Sequence, residues 1–113
     1  MEIIVASRHF KVRKELKEEI VSEVKKFDFS TGKLTTAEVV LNSVHNKIHV
    51  EIILRGKNLN LKAESETEDS MKSFYTAFKK MRHQLDKRRT KVKNHRATHI
   101  AFVELDMINK QAS

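Results

Sequence analysis

The sequence predicts an α+β two-layer sandwich, one four-stranded sheet with two helices packed on one face, in the order β-α-β-β-β-α. Three observations carry this expectation. Residues 47–55 alternate, with Ile48, Val50, Ile52 and Leu54 against His49, Glu51, Ile53 and Arg55, the period of a half-buried strand. Leu16, Ile20, Val24 and Phe27 recur at helical spacing. So do Met71, Phe74, Phe78, Met81, Leu85 and Val92, at intervals of three, four or seven, which gives each helix one apolar stripe to lay on a sheet. A chain of 113 residues is one ordinary domain, long enough to bury a single core without cross-links.

In chain order, residues 2–7 place Ile3 and Val5 on one side and Glu2, Ile4 and Ala6 on the other, a strand too apolar to be fully exposed. Residues 13–27 form the first helix, with Val21 widening its stripe. Arg13 and Lys14 put positive charge at the end where the helix dipole favours negative, and Glu15, Glu18 and Glu19 offset it. Residues 28–36, with Ser30, Thr31 and Gly32, read as a loop. Val39 and Leu41, alternating with Glu38, Val40 and Asn42, give the second strand, and residues 43–46 turn into the third. Gly56, Lys57 and Asn58 connect tightly to a fourth, in which Leu59, Leu61 and Ala63 alternate with Asn60, Lys62 and Glu64. Thr67 reads as the N-cap of a long second helix, with Glu68 and Asp69 in its first turn. Carried to His95, that helix would be roughly 40 Å long, and its basic end would project beyond a sheet of short strands. The first βαβ unit calls for a right-handed crossover, with hairpins thereafter.

The chain has no cysteine, which excludes disulfides, thiolate metal sites and thiol nucleophiles and fits a reducing, cytoplasmic setting. No apolar run approaches the ~20 residues of a membrane span, and no basic leader precedes an apolar stretch. Neither membrane insertion nor export is expected. No nucleophile with an adjacent base, paired carboxylates in an apolar pocket or glycine-rich phosphate loop stands out. The chain is therefore read as a non-enzyme without a cofactor.

Charge is the most informative feature. Residues 79–96 hold nine Lys or Arg against one acid, Asp86, so this one segment carries as much excess positive charge as the whole chain, +8. Lys79, Lys80, Arg82, Lys87, Arg88, Arg89, Lys91, Lys93 and Arg96 surround more of the helix axis than a single face needs. Complementing the helix dipole accounts for only two or three of them, since that effect is confined to the last turn. A positive field concentrated this way attracts a polyanion, and a phosphate backbone is the leading candidate. Arg82, Arg88 and Arg89 are the better geometric anchors, because a guanidinium can grip phosphate through two parallel hydrogen bonds. Tyr75 is the one aromatic near the tract and Trp is absent, so backbone and shape recognition of folded RNA is expected over base stacking.

The histidines are weighed against metal binding. His45 and His49 are four apart, but across a turn and strand and with no third ligand near them in the sequence. His83, His95 and His99 lie in or beside the basic tract, where they are read as hydrogen-bonding phosphate or solvent. No metal is assigned. Glu51 is expected to face Lys62 across the hairpin as a surface ion pair.

The element order, the opening MEIIVASRHFKVRKELKEEI and above all TEDSMKSFYTAFKKMRHQLDKRRTKVKNHR together resemble the ribosome hibernation promoting factor and ribosome-associated inhibitor A family, also described as sigma-54 modulation proteins. The likeness spans about residues 1–96. The family's second-helix pattern is carried here by Asp69-Ser70-Met71, Phe74, Phe78, Lys80-Met81 and His83-Gln84-Leu85, followed by Lys87, Lys91, Lys93 and His95. This chain has Arg13 where the family usually has a Thr cap, and His83 where it usually has Arg.

The resemblance implies a fold like a double-stranded-RNA-binding domain and a stress- or stationary-phase factor that docks on the small ribosomal subunit near the decoding region. Occupancy there would block mRNA and tRNA and inhibit translation. The rRNA-binding residues it implies are Lys79, Lys80, Arg82, Lys87, Arg88, Lys91 and Lys93, with Lys25 and Lys26 as weaker members; the charge reading adds Arg89 and His83. It further implies a short form, without the dimerisation domain of long members, monomeric off the ribosome and with room for a second hibernation factor as partner. Residues 1–96 would be the ribosome-binding domain. Residues 97–113 lack the family pattern but are apolar at Ile100, Phe102, Val103, Leu105, Met107 and Ile108. Docking on the sheet, binding a partner and following the mRNA path all remain open for them. The competing reading is a protein-interaction module that regulates transcription, with the basic helix serving solubility or an acidic partner.

Overall fold

The computed structural model describes residues 1–31, 34–87 and 99–104. Its elements are β1 (Glu2–Arg8), α1 (Lys14–Thr31), β2 (Leu34–Val44), β3 (Lys47–Gly56), β4 (Leu59–Thr67), α2 (Ser70–Asp86) and β5 (His99–Glu104). The strands form one sheet in the order β4-β3-β2-β1-β5. β1 is parallel to both of its neighbours, and β2, β3 and β4 are joined antiparallel. The first four strands and both helices stand as the sequence predicts.

Alternation decides which face is covered. Ile3 and Val5 of β1, Ala37, Val39 and Leu41 of β2, Val50, Ile52 and Leu54 of β3, and Leu61 and Ala63 of β4 are all buried. Both helices lay their stripes on that face: Leu16, Ile20, Val24 and Phe27 from α1, and Phe74, Ala77, Phe78, Met81 and Leu85 from α2. The rings of Phe27 and Phe78 stack with centroids 4.7 Å apart, so the core joins helix to helix as well as helix to sheet. Val92, assigned to the same stripe from its spacing, lies outside the described residues, as does the expected run of the helix to His95.

Three local expectations are corrected. The loop read at 28–36 is largely absent, because α1 runs through Thr31 and β2 begins at Leu34. Leu34 is fully buried and pairs with Gly56, and the Thr35 hydroxyl donates to the Arg55 carbonyl at 3.1 Å. Pairing with β3 draws Leu34 and Thr36 into the sheet, and α1 takes in Ser30 and Thr31 despite their turn-like composition. Asp69, not Thr67, caps α2: its backbone is extended and its carboxylate accepts from the Lys72 N–H at 3.0 Å. Thr67 instead ends β4, its hydroxyl 2.6 Å from that of Ser73.

The third correction is a fifth strand. Residues 99–104 extend the sheet beside β1, from Glu2↔His99 to Ser7↔Glu104, and the His99 N–H donates to the Met1 carbonyl at 3.2 Å. This gives β1 a neighbour on each edge, which suits a strand with Ile3, Ile4, Val5 and Ala6 in succession. Of the fates open to the C-terminal segment, these six residues take the sheet.

The β2–β3 turn needs two residues with positive φ, and His45 (50°) and Asn46 (64°) supply them, the backbone of a type I′ hairpin. Ser73 is the main polar tie in the core. Fully buried, its hydroxyl donates to the Ile48 carbonyl at 2.7 Å and accepts from the Thr67 N–H at 2.9 Å, fastening α2 to β3 and β4. Ser73→Ala leaves both partners short of a bond in a dry setting and is expected to destabilise the fold by about 1–3 kcal/mol. Urea titration should show a lowered midpoint with an unchanged m-value, whereas Ser22→Ala on the exposed face of α1 should leave the midpoint in place.

Candidate nucleic-acid interface

Burying Phe74, Ala77, Phe78, Met81 and Leu85 fixes the rotation of α2, and everything off that stripe follows. Lys72, Lys79 and Arg82 recur on the outward side, and His83 and Lys87 follow in the last turn; all five are exposed. His83 and Lys87 also lie where the helix dipole favours positive charge. Arg88, Arg89, Lys91 and Lys93, named with them from the sequence, are outside the described residues.

One flank of α2 is used differently. The Lys80 ammonium donates to the Glu64 carbonyl at 2.9 Å and the Gln84 amide to the Lys62 carbonyl at 2.8 Å. One turn apart, these two side chains fasten the helix to the edge strand β4. Lys80 is thus a structural tie, a role its position in the basic tract does not reveal.

On the other flank Tyr75 faces α1. Its ring meets Phe74 and Phe78 edge-on at 5.3 and 6.3 Å. Burial first, then a hydrogen bond to Glu19 and the charges of Glu19 and Glu23, push its phenol above the usual range and keep it protonated. Tyr75 is therefore engaged in packing between the helices. On α1, Lys25 and Lys26 are both exposed, and Lys26 pairs with Glu23 at 3.0 Å. Because Glu19, Glu23 and Lys26 follow at helical spacing, Lys26 lies on the α2 side. Lys25 points the other way, into a groove that α1 shares with β5.

The opposite face of the sheet has no helix over it, and its charges pair with one another. Arg55 meets Glu38 at 3.4 Å, Lys62 meets Glu51 at 3.1 Å as the sequence anticipates, His49 meets Glu64 at 3.4 Å and His99 meets Glu2 at 3.8 Å. Sequence spacing paired His49 with His45, but the sheet brings it to Glu51 and Glu64, with ligand atoms all within 4.8 Å of one another. Glu51 and Glu64 stand directly opposite on adjacent strands, an unfavourable like-charge pair that calls for a cation. Lys62 supplies it. Its hydrogen bond to Glu51, then the charges of Glu51 and Glu64, hold the ammonium above its ordinary range.

The two faces thus differ in kind. Among the described residues, Lys79, Arg82 and Lys87 form no ion pair, whereas Lys14, Lys26, Arg55 and Lys62 each have one. Lys79, Arg82 and Lys87 lie on the helix side. No described helix is long and apolar enough to cross a membrane.

Comparison with known proteins agrees with this architecture. The chain has a TM-score of 0.71 to a ribosomal subunit interface protein from Coxiella burnetii, at 16% identity over 78% of this chain and 97% of that one. It has a TM-score of 0.70 to the N-terminal domain of Protein Y from Thermus thermophilus, at 19% identity over 79% of this chain and 100% of that one. At these identities the likeness is one of fold. No curated protein matches the sequence. The model of the sigma 54 modulation protein / S30EA ribosomal protein family, however, matches residues 3–93. With that match over most of its length and the shared fold, the chain belongs to this family of non-enzymatic, ribosome-associated proteins.

Proposed function

We propose that this protein silences translation by docking on the small ribosomal subunit near the decoding region, where its presence excludes mRNA and tRNA. One observation carries the reading: the outward cations Lys79, Arg82 and Lys87 are exposed and have no acidic partner among the described residues. Cations left free by the protein are those that can neutralise phosphate, and each phosphate neutralised releases counterions. Family membership supports a ribosomal partner. In this reading Lys25, His83, Arg88, Arg89, Lys91 and Lys93 also bind rRNA; Lys26 contributes less, being paired with Glu23, and Lys80 least.

Co-sedimentation with purified small subunits at rising salt tests it. Log affinity is expected to fall linearly with log salt, by about 0.7–0.9 for each phosphate neutralised. Joint replacement of Lys79, Arg82 and Lys87 by Gln should reduce that slope by about 2–3 and leave the thermal transition unchanged, since none of the three is buried. A salt-insensitive association, or a purified complex with another protein and no RNA, would favour the transcription-regulating alternative.

The role of Lys80 is tested separately. Lys80→Met should lower stability by about 0.5–1.5 kcal/mol, through loss of its bond to β4, while changing the salt slope less than Lys79→Met does. Paired urea titrations and subunit-binding curves at two salt concentrations would register both effects.

A further inference from the structure

Phe102 is the most exposed large apolar side chain among the described residues, at 49%. It pairs with Val5 in the sheet register, and because parallel neighbours share a face, it lies on the helix side. There it forms one wall of a groove of about 400 Å³ against α1, whose other lining residues are Lys17, Glu18, Val21, Ser22, Lys25 and Ile100. The Lys17 ammonium stands 5.1 Å from the centre of the Phe102 ring. A smaller recess on the other side of Phe102 adds Lys11. Among the described residues that line these two recesses, the charged ones are three lysines and one glutamate.

We propose that this groove takes one unpaired nucleobase, stacked on Phe102, with Lys17 and Lys25 on the flanking phosphates. An apolar ring with a cationic rim matches a nucleotide, whose base has a π-face and whose backbone is anionic. An apolar peptide would leave the lysines unanswered. Position agrees: α1 lies between this groove and α2, so a strand leaving Lys79 and Arg82 can cross α1 to reach it on the same face. The inference deepens the ribosome-binding reading and rests on it for the source of the nucleotide. Tyr75 is packed between the helices, whereas α1 and β5 together present Phe102.

The full-length protein is titrated with a single-stranded oligoadenylate and with an RNA duplex of equal charge, alongside sedimentation with small subunits. Phe102→Ala and Phe102→Leu should weaken oligoadenylate binding roughly 5- to 100-fold, the range of one base–aromatic stack, and leave duplex binding unchanged. Phe102→Trp should retain the affinity. Because the chain has no other tryptophan, its indole emission reports directly, quenched by the single strand and not by the duplex. Two-dimensional amide spectra establish that each variant is folded. Equal affinity of the wild-type and Phe102→Leu proteins for oligoadenylate, or indole emission unmoved at saturation, overturns the stacking site even if subunit binding is intact. Phe102-dependent binding to a ribosomal protein without RNA overturns it too, assigning the groove to a peptide. Loss of subunit sedimentation with oligoadenylate binding still dependent on Phe102 refutes the ribosomal reading and supports the stacking site.

Discussion

A single sheet face must be kept dry, and two amphipathic helices do it. The buried rows Ile3/Val5, Ala37/Val39/Leu41, Val50/Ile52/Leu54 and Leu61/Ala63 are useful only if covered. Covering them fixes the rotation of α2 through Phe74, Phe78, Met81 and Leu85. Once that stripe faces inward, Lys79 and Arg82 have no choice but to face outward. The core and the cationic surface are thus two consequences of one periodicity, and a substitution that rotated the helix would disturb both.

The two sheet faces handle charge oppositely. On the open face, acids and bases are interleaved across strands, and Lys62 serves two glutamates at once. Such exposed pairs contribute little to stability, but they set a carboxylate beside each of those bases. On the helix face the outward cations of α2 have no such partners, so the potential of the molecule is concentrated there. That asymmetry gives an approaching polyanion a preferred orientation before contact.

Much of this was legible in the chain. Strands β3 and β4 and both helices follow from period alone, because each buries one face and alternates or recurs accordingly. The basic tract was equally plain. What escaped depended on neighbours remote in sequence. Ile100, Ala101, Phe102 and Val103 are apolar on both faces and show no period, so only pairing with β1, about a hundred residues away, identifies them as a strand. Leu34 looked like loop because its partner Gly56 lies across a hairpin. The division of labour among lysines was hidden for the same reason. Lys80 differs from Lys79 only in facing the Glu64 carbonyl, and His49 gained Glu64 as a partner only when β4 lay beside it.

The place of β5 bears on how the chain is made. β1 precedes every other described strand in the chain, yet one of its edges is closed by β5, the last of them. Contacts so far apart form slowly, since a long loop must close before the contact returns any free energy. During synthesis β1 therefore holds one row of amides and carbonyls without its strand partner until residues 99–104 have emerged, and the nascent domain stays open along that seam until then.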